Sequence, residues 1–236
     1  MSAPGEPTLG NPRLHFRRTD STNERARELA ARGTPGGTLV TALEQSAGRG
    51  RQGRTWTAPP ARALLCSLVI REPPRLLPLA AGVAVAEVVG AGAKLKWPND
   101  VLRDGRKVAG ILVEGRPQER WSVLGIGINV AVREEDFPAD LRDRAGTLGL
   151  DPAAIEPTLA DLLRSLERWF AAEDEEILEA VRARDALIGL DVRWAGGEGR
   201  TEGIDKEGRL VVATEGGRAA LEAGEVHLID PTGRPK

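Results

Sequence analysis

The stretch that decides how this chain reads is Gln45-Ser46-Ala47-Gly48-Arg49-Gly50-Arg51-Gln52-Gly53-Arg54-Thr55-Trp56, followed by Thr57-Ala58-Pro59-Pro60. Gly48, Gly50 and Gly53 satisfy the G-x-G-x-x-G spacing of dinucleotide sites, and Arg54-Thr55 stand where a P-loop would have Lys-Ser/Thr. Both motifs open directly into a helix whose N-terminal amides meet the phosphates. Here no helix can follow, because a residue before proline is pushed out of helical geometry and Pro60 has no amide to donate. The segment is therefore an anion-binding loop between strands. Three arginines and three glycines in the seven positions 48–54 suit that task. Guanidinium forks match carboxylate and phosphate oxygens, and glycine lets the backbone wrap closely around a ligand. Arg49, Arg51, Arg54 and Arg62 repel one another when no anion is present, so the loop is expected to order on binding.

On the N-terminal side, residues 13–18 and 38–43 read as strands. Between them Ser21 and Glu24 have capping-box spacing, and Ala26, Leu29 and Ala30 form a stripe that stops at Gly33, predicting a helix over 22–32. On the C-terminal side, 63–70 is apolar enough for a central strand and 76–90 reads as a buried helix. Pro78 and Glu87 interrupt that apolar stretch, which argues against a membrane span. Residues 94–97 and 101–103 lead to Asp104-Gly105, a hairpin pair, and 108–114 return as a doubly buried strand with Lys107 at its mouth. In the strand 121–130, Gly125 and Gly127 mark a bulge or a close approach to the backbone. Leu159, Leu162, Leu163, Leu166, Trp169 and Phe170 keep a helical period, as do Ile177, Leu178, Val181 and Leu187. After Leu190 the short runs 192–194, 210–213 and 226–229 fit a small antiparallel barrel-like unit.

The chain has 236 residues, of which 41% are hydrophobic, so a large core is within reach and disorder is excluded as the main state. Its 35 acidic and 33 Lys or Arg residues leave a formal charge of −2, which argues against an electrostatic coat for nucleic acid or membrane. Cys66 is a lone cysteine and no signal-peptide pattern opens the chain, so a cytoplasmic protein is expected. Residues 1–12, with three prolines and two glycines, read as a flexible lead-in. Lys94-Leu95-Lys96-Trp97-Pro98-Asn99-Asp100 gathers cations, an amide and a carboxylate at one strand end. No His/Cys metal spacing is present.

Ser21-Thr22-Asn23, the 48–54 loop, Lys96-Trp97-Pro98-Asn99-Asp100, Lys107-Val108-Ala109-Gly110-Ile111-Leu112-Val113-Glu114 and Gly125-Ile126-Gly127-Ile128-Asn129, in this order, resemble the catalytic region of biotin–protein ligases. The resemblance runs from about 14 to 229, since Gly203-Ile204-Asp205-Lys206 and Gly224-Glu225-Val226 look like that family's small C-terminal domain. It implies an α+β fold. A mixed sheet packed by helices, like the core of class II aminoacyl-tRNA synthetases, would form a catalytic domain over 13–187, and an SH3-like β-barrel would follow over 188–236.

The resemblance also implies two steps. Biotin's carboxylate attacks the α-phosphate of Mg-ATP to give biotinyl-5′-adenylate and pyrophosphate, and a lysine of a biotin carboxyl carrier protein then takes the acyl group. Ser21, Thr22, Asn23, Gln45, Arg49, Gly50, Arg51, Lys107 and Gly110 fall on biotin-contacting positions. Arg49, Arg51, Arg54, Trp56, Asn99, Lys107 and Asn129 fall on adenylate positions. Arg51, Lys107 and Asp100 would be catalytic: Arg51 on the reacting carboxyl and phosphate oxygens, Lys107 on the α-phosphate and acyl oxygen, Asp100 orienting Mg-bound phosphates. Arg49 would close the loop and Trp56 would cover the adenylate. Ile111, Val113 and Ile126 are candidates for biotin's apolar slot.

Two departures stand out. No DNA-binding helix-turn-helix is expected ahead of this region, and the basic residue that the family often places near the C-terminus is answered only by His227. Competing readings are a lipoate or octanoate transferase of the same fold and a non-catalytic biotinyl-adenylate-binding module. The oligomeric state stays open between a monomer and a homodimer.

Overall fold

The computed structural model describes residues 9–116, 119–222 and 224–229. Strands β1 (Arg13–Phe16), β2 (Leu39–Ala42), β3 (Leu64–Arg71), β4 (Lys94–Lys96), β5 (Asp100–Arg103), β6 (Arg106–Arg116) and β7 (Trp121–Ile128) form a mixed sheet in the order β1-β2-β3-β7-β6-β5-β4. β1 and β2 run parallel and the other neighbours antiparallel. The helices are α1 (Thr22–Ala31), α2 (Leu77–Val89), α3 (Ile155–Phe170) and α4 (Asp174–Arg182). A second, antiparallel sheet contains β8 (Asp191–Trp194), β9 (Gly197–Ile204), β10 (Leu210–Thr214), β11 (Gly217–Leu221) and β12 (His227–Leu228), in the order β11-β10-β9-β8-β12.

Strand parity divides the main sheet into two faces. Leu64, Cys66, Leu68 and Ile70 of β3, with Ile111 of β6 and Leu124 and Ile126 of β7, join α2, α3 and α4 in the larger core. On the other face Val69, Val123 and Trp121 pack against Ala26 and Ala30 of α1. α2 is almost wholly buried because it lies between the sheet and α3, while α3 buries only the stripe Leu159, Leu162, Leu163, Leu166 and Trp169. No helix among the described residues is long and apolar enough to cross a membrane.

The hairpin at Asp104-Gly105 forms as read, with φ of 53° and 75°, values that suit a tight turn between antiparallel strands. Several expectations are corrected. The C-terminal sheet is open: β11 and β12 are its two edges, so no barrel closes among the described residues. Leu187 is fully buried but lies beyond the end of α4, in the connection to β8. Ser21 occupies the N-cap position of α1 without a side-chain cap bond, and the reciprocal half of the capping box is missing too, since the Ser21 amide donates to Asp20 Oδ1 at 2.7 Å while Glu24 accepts from Arg27 at 3.1 Å and Arg49 at 3.0 Å. The expected flexible lead-in is tied down where it is described. Leu9 N donates to Glu167 Oε1 at 2.9 Å, Gly10 N to Gly37 O at 2.8 Å, and Leu39 N to Pro12 O at 2.9 Å. Its residues 1–8, and residues 230–236 of the expected C-terminal unit, lie outside the described residues.

β4 is joined to the chain entering the second sheet. Leu95 N donates to Arg184 O at 2.8 Å and Ala186 N donates to Leu95 O at 2.9 Å. Trp97 Nε1 adds a bond to Gly208 O at 3.2 Å.

Candidate active site

The α1 face of the sheet is covered by that helix at one end only. Past its first turn the sheet opens into a cleft of about 680 Å³, bounded by the 45–57 loop, the strand end at 96–100, residues 137–145 and the C-terminal segment 224–228. Its floor is bare backbone. Gly110 of β6 stands directly opposite Gly127 of β7, and the indole of Trp56 lies against both. A Cβ at Gly127 would sit 2.6 Å from Trp56 Cε2, and one at Gly110 would sit 3.0 Å from its Cζ3. Gly125 yields in the same way to Asn23, whose Oδ1 would be 2.0 Å from a Cβ there. The register of β7 is unbroken on both sides, so these glycines mark close approach and not a bulge.

One wall is a polar chain starting at the N-terminus of α1. Gln45 Oε1 accepts from Thr22 N at 2.7 Å and from Thr22 Oγ1 at 3.0 Å, satisfying an amide of the helix's first turn from outside the helix. The fully buried Ser67 hydroxyl bridges Thr22 Oγ1, 2.8 Å away, and Asn23 Oδ1, 2.6 Å away. Asn23 Nδ2 donates to Glu114 Oε2 at 2.9 Å, and Glu114 Oε1 pairs with Arg49 Nη2 at 2.9 Å.

The arginine loop contains a short 3-10 turn at Arg51–Gly53, with no α-helix before β3. It folds back on itself through Gly50 N to Arg54 O at 2.7 Å and Trp56 N to Gly48 O at 3.0 Å. A side chain at Gly48 would collide with Trp56 O, 2.3 Å from its Cβ. The expected self-repulsion is relieved by carboxylates: Glu24 and Glu114 hold Arg49, and Glu225 pairs with Arg54. Arg62 is not part of the cleft lining.

Arg51 is different. It has no carboxylate at ion-pair distance among the described residues, and its Nη1 donates to Asn99 Oδ1 at 3.2 Å. Asn99 is braced in turn, since its Nδ2 donates to Ile111 O at 2.9 Å. Burial first, and the neighbouring Arg54, lower the Arg51 pKa against the pull of Asp100. An unpaired, partly desolvated guanidinium is a strong site for an incoming anion. Lys107 Nζ pairs with Asp100 Oδ1 at 2.6 Å and lies 5.7 Å from the Trp56 ring centroid. Two buried polar atoms in the lining lack partners among the described residues, Trp56 Nε1 and Asn129 Oδ1. The other end of the Asn129 amide donates to Gly146 O at 2.9 Å, which fixes the orphan oxygen. Among the described residues no three His, Cys, Asp or Glu cluster to hold a metal ion.

A biotin–[acetyl-CoA-carboxylase] ligase of Paracoccus denitrificans is 35% identical to this chain over 235 residues, which cover 89% of this chain and 97% of that protein. The chain belongs to the biotin–protein ligase family. The family model "Biotin/lipoate A/B protein ligase family" matches residues 15–130. The biotin–[acetyl-CoA-carboxylase] ligase of Mycobacterium tuberculosis is also 35% identical, over 89% of this chain and 86% of its own length. Among solved structures, a biotin protein ligase from Aquifex aeolicus in complex with biotin and ATP superposes with a TM-score of 0.78 and 28% identity, covering 96% of this chain and 100% of that one.

In this member of the biotin–protein ligase family, every residue expected on biotin or adenylate positions lines the one cleft. The apolar slot needs correction. Ile111 and Ile126 do border the cleft but belong with their side chains to the larger core, Val113 packs against that core and is not part of the lining, and Leu65 and Leu112 share the strand parity of Gly127 and Gly110. Sequence reading missed Ser67, Glu24 and Glu225, and gave Glu114 no role. Ser67 carried a signal, as the lone hydroxyl in the apolar run Leu64-Leu65-Cys66-Ser67-Leu68-Val69-Ile70. His227 proves a poor cation: burial first, then Lys96, Arg54 and Arg144, hold its imidazole below the usual value, although Glu225 Oε2 is 3.6 Å away.

Proposed function

We propose that this chain is an ATP-dependent ligase that activates biotin as biotinyl-5′-AMP and transfers it to a lysine of a biotin carboxyl carrier protein. The observation that carries the reading is Arg51, a cation without a carboxylate at ion-pair distance among the described residues, in the same cleft as Lys107 and a glycine-floored slot. The Aquifex aeolicus structure with biotin and ATP supports the choice of substrates. A carboxylate and a triphosphate repel each other, so their encounter needs fixed positive charge where charge develops. Arg51 meets the reacting carboxyl and phosphate oxygens. Lys107, released from Asp100, neutralises the α-phosphate and then the acyl oxygen. Magnesium arrives as part of the substrate MgATP, with Asp100 orienting the phosphates once Lys107 has turned to them.

Ser21, Thr22, Asn23, Gln45 and the backbone at Gly50 and Gly110 recognise biotin, whose ureido group needs both donors and acceptors. Asn99, Asn129, Arg54 and Trp56 hold the adenylate, and Arg49 keeps the loop down so that water is excluded from a hydrolysable mixed anhydride. On this reading 13–187 is the catalytic unit and 188–236 the smaller β unit, the site of action is the cytoplasm, and neither nucleic acid nor membrane is a partner. A homodimer is checked by sedimentation.

The deciding experiment incubates the protein with MgATP, a carrier domain and either biotin or lipoate, and reads the mass of the carrier. A biotin-sized shift in the first arm alone is expected. A lipoyl shift would replace the substrate, and binding without pyrophosphate release would make the chain a non-catalytic adenylate binder.

A further inference from the structure

Glu114 belongs to the row Gly110, Leu112, Glu114 that β6 turns to the cleft face of the sheet, and it stands opposite Val123 of β7. It lies beside the first turn of α1, where Asn23 meets it, and is not part of the cleft lining. Its carboxylate nevertheless joins two groups that the ligase reading assigns to ligand. Oε2 accepts from Asn23 Nδ2 at 2.9 Å, and Oε1 pairs with Arg49 Nη2 at 2.9 Å. One oxygen thus serves the helix and the other the arginine loop.

The first arm decides which way an amide faces. The two ends of a side-chain amide have nearly the same shape, so only the partners set its orientation. The Ser67 hydroxyl, 2.6 Å from Asn23 Oδ1, is indifferent, because a hydroxyl can donate to an oxygen or accept from an amide nitrogen. A carboxylate can only accept. Glu114 therefore draws Nδ2 towards itself and turns Oδ1 to Ser67, which leaves Asn23 one N–H and one lone pair, each on a fixed side. Sideways movement is closed off as well, since Asn23 lies on the bare backbone of Gly125.

The second arm is the better protected hold on Arg49. Glu24 also bonds Arg49, at 3.0 Å, but through the same oxygen that takes Arg27 at 3.1 Å. The Glu24 side chain is 34% exposed, against 21% for Glu114, so water and salt screen the Glu114 pair less.

We propose that Glu114 is a positioning residue for biotin: by orienting the Asn23 amide and anchoring Arg49, it couples recognition of the biotin ring to closure of the 49–54 loop. This rests on the ligase reading, in which Asn23 meets biotin and Arg49 keeps the loop down. An Asn23 engaged by a ureido group is held still, the carboxylate bonded to it is held still in turn, and the guanidinium closes upon a fixed partner.

The experiment uses the full chain and its Glu114→Gln, Asn23→Ala, doubly substituted and Glu24→Gln variants. It measures biotin affinity by calorimetry without nucleotide, trypsin cleavage within 49–54 with and without biotin, and melting temperature. Glu114→Gln keeps the shape but gives Asn23 a partner that donates as well as accepts. It should weaken biotin about tenfold, the scale of one charge-assisted hydrogen bond, and remove most of the protection that biotin gives the loop. In the Asn23→Ala background the same replacement should cost only about twofold, because its effect on the ring travels through Asn23. Glu24→Gln should speed cleavage in both states while the ratio between them stays at the wild-type value. Wild-type biotin affinity in Glu114→Gln, losses that multiply in the double variant, or an undiminished protection ratio each overturn the proposal, and a lower melting temperature with none of the expected changes leaves Glu114 a structural role alone. Should Glu114→Gln not fold, Glu114→Asp, whose shorter stem lets go of at least one partner, replaces it in the same cycle, with the same pattern at smaller amplitude expected and multiplying losses again decisive against it. A wild-type chain that binds biotin but forms no adenylate with MgATP fails the ligase reading alone, and the affinity ratios still decide on Glu114. A wild-type chain that binds no biotin refutes the proposal.

Discussion

Gly110 and Gly127 face each other across β6 and β7, and the Trp56 indole lies in the gap left by their missing side chains. The loop can therefore descend onto the sheet only as far as these two residues allow. A methyl group at 127 would sit 2.6 Å from the ring, whereas one at 110 would sit 3.0 Å away. Gly127→Ala should thus lift Trp56 and weaken binding of a biotinyl-adenylate analogue at least about tenfold, with Gly110→Ala milder. Calorimetric titration of both variants checks the order, and equal affinities would show that Trp56 does not rest on ligand.

Arg51→Ala should slow adenylate formation at least about tenfold, the scale of losing one aimed donor. On the proposed roles, in which its cation serves the phosphate first and the acyl oxygen second, Lys107→Gln should slow both adenylation and transfer. Single-turnover measurement of each half-reaction separates the two. A Lys107→Gln enzyme that transfers normally from the adenylate would confine that lysine to the first step.

Ser67→Ala removes the hydroxyl that bridges Thr22 and Asn23 inside the sheet. Leaving Asn23 Oδ1 short of its donor should cost about 1–3 kcal/mol in denaturant unfolding. Because Asn23 also holds Glu114, the same variant should loosen Arg49 and speed proteolysis within 49–54. A stability loss with no change in cleavage would separate the core function of Ser67 from the loop.

Burial pushes the Cys66 thiol up to about 12 from an ordinary 9.0, against the smaller opposing pull of Arg13. The native protein should resist iodoacetamide at pH 8.5 and react at the rate of a free thiol once unfolded. The sign follows from proton release: above about pH 9 the unfolded chain loses a proton that the folded one keeps, so stability falls as pH rises towards 12. Cys66→Ala should flatten that alkaline decline in a pH series of melting temperatures, and an unchanged slope would assign it to other groups.

Legibility followed the strength of each periodic signal. The α3 stripe from Leu159 to Trp169 could be read residue by residue because five large apolar side chains share one face. β9 went unread, since Gly197–Ile204 is built of glycine, charge and one threonine until its last residue. At the site, the loop and its glycines were evident because proline excludes the helix and glycine alone tolerates the contacts. Parity was not. β6 is buried on both sides through its middle, so nothing in Val108 to Val113 says which residues meet the cleft, and the isoleucines were placed on the wrong side. Arg144 was invisible for another reason: its position depends on two backbone bonds to Lys107, thirty-seven residues away in the chain.

The bonds from Leu95 to Arg184 and Ala186, with the Trp97 indole on Gly208, give the margin of the large sheet a mechanical role. They rivet the rail that carries Lys96 to the polypeptide leading into the smaller sheet. A displacement of that smaller sheet is thereby tied to the strand end that carries Lys96, more than eighty residues upstream in the chain.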